Sequence, residues 1–122
     1  MGDENRSKQI AEQNDRFRQR AGLPPAEGED VVPGVALMTA GINALPLPVQ
    51  LAILARVREF SIFTPDNDPY GEHDFGIIKL PEIGSIYWKI DYYDSSLTYG
   101  SEDPSDLSIT QRVLTIMLAE EY

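Results

Sequence analysis

Two short apolar segments joined by a tight turn place the strongest constraint on this chain. They run from about His73 to Leu80 and from Ser85 to Tyr93, with Pro81-Glu82-Ile83-Gly84 between them. Strand-length runs rich in Ile, Tyr and Trp around a Pro/Gly turn predict a β-hairpin. Pairing Leu80 with Ser85 sets Ile77 opposite Trp88 and Phe75 opposite Ile90, so apolar side chains meet across the ladder. The same register sets Asp74 opposite Asp91, Gly76 opposite Lys89 and Glu72 opposite Tyr93. A slip of one residue would send the apolar set to the other face, so the matching of faces selects this register.

The segments around the hairpin predict the remaining elements. Residues 4–21 read as a helix with a thin stripe, Ile10, Phe17 and Ala21, and with Arg16, Arg18 and Arg20 near its end. Gly22 and Pro24-Pro25 stop it, and residues 22–34 form a proline-rich acidic loop. A stripe this thin predicts an N-terminal part, residues 1–33, that is loosely attached or awaits a partner. Val35 to Thr39 reads as a short strand. A second helix starts at Pro46 and Pro48 and ends near Phe60, with Leu47, Leu51, Leu54, Val57 and Phe60 in one apolar arc. Leu97 to Tyr99 reads as a last short strand. Ser108-Ile109-Thr110-Gln111 reads as a capping box that opens a buried helix running nearly to the C-terminus. The fold class is therefore α+β, in the order α-β-α-β-β-β-α, with helices packed on one face of a small, mainly antiparallel sheet.

A chain of 122 residues fits one domain, 1–122, long enough to bury a core without staples. It has no cysteine, which excludes disulfides, thiolate metal sites and cysteine nucleophiles. No apolar run reaches the length of a membrane span, and residues 1–6 are polar with no signal core behind them. A soluble, cytoplasmic protein is expected.

The net charge of −10 is unevenly placed. Residues 1–60 hold 8 acids and 7 bases, whereas residues 61–122 hold 12 acids and 3 bases. So acidic a surface repels nucleic acid and anionic lipid and favours basic surfaces. The acids gather in two loops, residues 64–72 and 100–106, on either side of the hairpin.

Three runs carry a resemblance to a known family: Thr64 to Gly76 (TPDNDPYGEHDFG), Trp88 to Asp94 (WKIDYYD) and Arg112 to Tyr122 (RVLTIMLAEEY). Ile10-Ala11, Asn14-Asp15 and Thr39-Ala40-Gly41 extend it over nearly the whole chain, with residues 22–32 departing from it. The chain resembles a family of small alphaproteobacterial proteins, often plasmid-borne, known only as a domain of unknown function. The resemblance implies a mobile-element setting and assigns no activity.

The hairpin register groups Glu72, Asp74, Lys89 and Asp91 on one face, flanked by Tyr87 and Tyr93, with Asp66 and Asp68 in the adjoining acidic loop. Such a cluster suits two chemistries: holding a hard divalent cation through oxygen ligands, or sharing a proton between carboxyls. The plainer reading is turn chemistry for Asp66 and Asp68, and an ion pair of Lys89 with Asp74 or Asp91. His73, the single histidine, reads as a core or rim side chain. No Gly-x-Ser-x-Gly elbow and no phosphate-binding glycine loop occurs. The expected function is a non-enzymatic interaction protein that docks on a partner with a basic, nucleic-acid-binding surface, as an accessory or anti-defence factor. It would bind neither nucleic acid nor membrane directly and needs no cofactor. The alternative is a small hydrolase or nuclease with a divalent cation on Glu72, Asp74 and Asp91. A third is a dimerising module.

Overall fold

The computed structural model describes residues 2–25 and 27–122. Met1 and Ala26, which belong to the N-terminal and 22–34 loop readings above, lie outside the described residues. The elements are α1 (Gly2–Arg18), β1 (Gly34–Met38), α2 (Ala40–Asn43), α3 (Leu47–Glu59), β2 (Phe75–Leu80), β3 (Gly84–Tyr93), β4 (Gln111–Leu118) and a 3-10 turn (Ala119–Glu121). The four strands form one sheet in the order β1-β4-β3-β2. Two pairings are antiparallel; β1 and β4 pair in parallel, so the sheet is mixed. The α+β class stands. Among the described residues no helix is long and apolar enough to cross a membrane.

Alternation along the strands divides the sheet into two faces. Ile78, Ile86, Trp88, Ile90, Leu114 and Ile116 point to one face and are buried with Ala21, Ile42, Ile53 and Val57 from the helical side. Phe75, Ile77, Tyr87, Lys89, Asp91 and Thr115 point to the other, where Tyr122 packs on Phe75 and Tyr87 and Met117 is buried. The stripe of α1 is completed by polar side chains: Gln13, Asn14 and Arg18 are buried beside Ile10 and Ala11. On α3 the buried positions are Ile53 and Val57, one turn apart, whereas Leu47 and Leu51 of the expected arc stand exposed.

The hairpin forms in a register one residue from the expected one. Leu80 pairs with Gly84, Gly76 with Trp88 and Phe75 with Lys89. The loop holds three residues because Gly84 adopts φ 103, open to glycine, and closes the turn one residue early. The run Phe75-Gly76-Ile77-Ile78-Lys79-Leu80 is apolar in both phases, so face matching could not decide between them. Trp88 decides it. A Cβ on Gly76 would sit 2.3 Å from Trp88 Nε1 and 2.8 Å from Phe60 Cζ, so the fully buried indole takes the space the glycine leaves.

Two further expectations are corrected. Leu97 to Tyr99 is not a strand. Asp94 Oδ1 accepts from Ser96 N (3.1 Å), Ser96 Oγ (2.7 Å) and Thr98 N (3.1 Å), winding the chain into a bend with Leu97 at φ 59. The segment from Ser108 onward is not a helix. Ser108 Oγ donates to Asp106 (2.6 Å), closing a turn, and Gln111–Leu118 becomes the strand between β1 and β3. Arg112, Leu114, Ile116 and Leu118 face the helices with period two. The carboxylate of Glu121 then fastens the chain end, accepting from Thr39 Oγ1 (2.6 Å), Leu118 N (2.9 Å) and Gly41 N (2.9 Å).

Candidate functional site

At the mouth of the hairpin the three resemblance-bearing runs and α1 meet around two buried guanidinium groups. Arg112 of β4 is fully buried. Its Nε donates to Asn14 Oδ1 (2.6 Å) and its Nη2 to Gln13 Oε1 (2.9 Å) and Pro104 O (3.0 Å). Its guanidinium lies over the Tyr92 ring, 5.1 Å from the centroid. Asn14 Nδ2 in turn donates to Glu72 O (2.9 Å) and the Tyr92 hydroxyl (2.8 Å), and that hydroxyl donates to Glu72 Oε1 (3.1 Å). Burial pushes the Tyr92 phenol above its ordinary range and lowers the Arg112 pKa.

Arg18 ends α1 and spans the gap to α3. Its Nε donates to Val57 O (3.0 Å) and its Nη2 to Phe60 O (2.7 Å), carbonyls at the C-terminal end of α3. Its Nη1 bonds Asp15 (3.0 Å), and the group lies over Trp88 and Phe63 at 5.0 and 5.4 Å. Asp15 also meets His73 Nδ1 at 2.9 Å. The His73 ring stacks flat on Phe63, 3.8 Å between centroids. His73 has φ 56, a conformation costly for a non-glycine residue. Asp68 holds it there by accepting from Glu72 N and His73 N, both 3.1 Å. The histidine is thus a half-buried rim side chain over an open groove that Ser7, Lys8, Glu12 and Tyr70 also line. Among the described residues no hydroxyl is hydrogen-bonded to His73; its ring nitrogens meet Asp15 (2.9 Å) and Asp68 (3.8 Å).

The one-residue register change divides the residues expected to cluster. Tyr87, Lys89, Asp91 and Tyr93 stay together on the face turned away from the core, where Lys89 Nζ pairs with Asp91 Oδ2 at 3.0 Å. Tyr87 packs edge-on to Phe75 and Tyr122, each 5.4 Å away. Glu72 joins the Asn14–Tyr92 network instead, Asp68 is buried in the turn, and Asp66 is exposed. Asp74 lies between the groups. Burial first, then Glu72 and Asp68, and last Asp91 raise its pKa from 3.8 to about 6. Among the described residues no three His, Asp or Glu side chains converge to hold a metal ion.

The raised pKa gives Asp74 a signed effect on stability. Below 3.8 the carboxyl is protonated in both folded and unfolded chains and contributes nothing. As pH rises toward about 6 the unfolded chain loses its proton first, so stability falls; above that the loss is complete. Discounted for solvent screening of a half-exposed group, Asp74→Asn should stabilise the protein by roughly 1–2 kcal/mol near neutral pH and by nothing in acid. Thermal melts across that range check this; an equal effect at both ends would contradict it.

Asn14, Asp15, Arg18 and Arg112 went unassigned in the sequence. Their signals were membership of the resemblance-bearing runs for Asn14, Asp15 and Arg112, and a place among the cations ending the first helix for Arg18. Comparison with curated proteins and with solved structures gives no match. The profile of DUF3768, a family described as protein of unknown function, matches residues 38–121, from the end of β1 through β4, and with most of its length so matched the chain belongs to this family.

Proposed function

We propose that this protein acts by binding, presenting its acidic surface to a partner with a basic one. The observation that carries this reading is where the charges sit. Two of the ten bases, Arg18 and Arg112, are sunk in the interior, while Asp68 is the one acid buried among the described residues. The solvent-facing charge is therefore more negative than the formal −10. Asp74 supports it further: a carboxyl held back from ionising by burial first, and then by the Glu72 and Asp68 carboxylates, gains when a cation approaches. A surface of this kind favours the basic sites that otherwise hold phosphates. The mobile-element setting that the family resemblance implies makes an accessory or anti-defence inhibitor of a nucleic-acid-binding protein the finer reading. The hydrolytic alternative has no comparable support, since Glu72 is engaged by Tyr92 and Asp91 by Lys89.

Neutralising Asp66, Asp91 and Glu102 together (Asp→Asn, Glu→Gln) tests the location. Asp66 and Glu102 are exposed and Asp91 half-buried, so melting should change little. Affinity for protamine, an arginine-rich probe, should fall at least about tenfold. Unchanged affinity would remove these carboxylates from the surface.

A further inference from the structure

The two edges of the sheet are treated differently. The outer edge of β2 carries exposed Lys79, is followed by Pro81, and shares a groove with Ser61 and Ile62. Charge and proline are the usual guards against strand pairing. The outer edge of β1 carries no charge within Gly34–Met38, and its flanking Pro33 turns its carbonyl inward to Arg112 N (3.1 Å). In the parallel ladder Val35 and Leu37 turn their backbone groups to β4, as do Pro33 and Thr39 on either side. Gly34, Ala36 and Met38 therefore turn theirs outward. Met38 O accepts from Asn43 Nδ2 (3.1 Å); among the described residues no backbone group meets the N–H or C=O of Ala36.

The surroundings of this edge are also unusual in charge. From Val31 to Ala55 the chain has no charged residue, in a protein with 25% charged residues and a net charge of −10. Yet the stretch is not interior: Val31, Val35, Leu37, Leu47 and Leu51 are 45–64% exposed. Depletion of charge with exposed aliphatic side chains marks the core of an interface.

We propose that a second copy of this chain pairs antiparallel with the free edge of β1, joining the two sheets across a twofold axis at Ala36. The register follows from the outward groups. Ala36 of one copy meets Ala36 of the other, and Gly34 meets Met38, so the outward N–H and C=O groups face one another. Charge argues for a copy of the same chain on this edge. Two strongly acidic molecules repel at any charged face, and Gly34–Met38 brings no carboxylate of its own to the ladder; of those beside its ends, Glu121 is held by Thr39, Gly41 and Leu118, and Glu29 pairs with Arg20. The basic partner proposed above needs the acidic surface, which this pairing leaves free.

Sedimentation equilibrium of the full chain tests the proposal. The wild-type protein should show twice the chain mass, and Leu37→Glu and Ala36→Pro should each return it to the chain mass. Leu37 is half exposed and Ala36 N–H lies outside the ladder, so neither change removes a native backbone bond. Amide exchange on the wild type gives a reading independent of any variant's folding. Ala36 N–H should exchange more slowly as concentration rises, while Leu37 N–H, already bonded to β4, should not change. A wild-type monomer up to about 1 mM, a dimer that survives both substitutions, or exchange at Ala36 indifferent to concentration would overturn it.

Discussion

Arg112→Ala should cost the protein about 3–5 kcal/mol and release α1 from the sheet. Among the described residues no carboxylate contacts this buried guanidinium; its bonds go to the side chains of Asn14 and Gln13 and the carbonyl of Pro104. Removing it leaves the buried side-chain oxygens of Asn14 and Gln13, each worth about 1–3 kcal/mol, and the half-buried carbonyl of Pro104 without this donor, and opens a cavity. Relief of the guanidinium's own desolvation offsets part of this, which keeps the total below the simple sum. Because a domain of this size is held by about 5–15 kcal/mol, the variant should melt well below the wild type. Arg112→Met fills the volume and should recover only the cavity part, about 1–2 kcal/mol. Thermal melts give the totals. Hydrogen exchange gives the place: amides of α1 should lose more protection than those of β3. A variant melting within a few degrees of wild type, with α1 still protected, would contradict the role assigned to Arg112.

Arg18→Ala should cost about 2–4 kcal/mol by a separate route. Here the carbonyl of Phe60 is orphaned, that of Val57 keeps only the Phe60 N–H (3.3 Å), and the flat cover over Trp88 and Phe63 is lost as well. Arg18→Lys should restore less than half, because one ammonium cannot serve two divergent carbonyls from the same position. Denaturant melts of the two variants decide between geometry and charge. Equal stability of the Arg18→Lys variant and the wild type would show that a positive charge alone suffices.

Both arginines show where sequence reading stops. Most elements with a local cause were legible. The residue-4 helix start and Gly22 stop, the short strand before Thr39, the Pro46 helix and the two hairpin segments all lie within a few residues of their observed bounds. Four features were not, and two of them have causes close in sequence: the Asp94 side chain that bends Leu97 to Tyr99, and the hairpin register. The run Arg112-Val113-Leu114-Thr115-Ile116-Met117-Leu118 satisfies a helical and an alternating pattern alike, and what makes it a strand is β1 on one side and β3 on the other. The hairpin register depended on the Gly84 turn and on the space Gly76 leaves for Trp88. The Arg112–Asn14 bond joins residues 98 apart, and no local pattern announces it. The candidate site was legible in composition but not in arrangement: carboxylates and tyrosines do gather at the hairpin, on two faces rather than one.

The central claim is that the acidic surface is the working surface, and its salt dependence measures that most directly. Titration of the full chain with protamine across about 0.05 to 0.5 M NaCl should show affinity falling at least roughly a hundredfold, as pairing of many exposed charges requires. Affinity that stays level across that range would contradict the account.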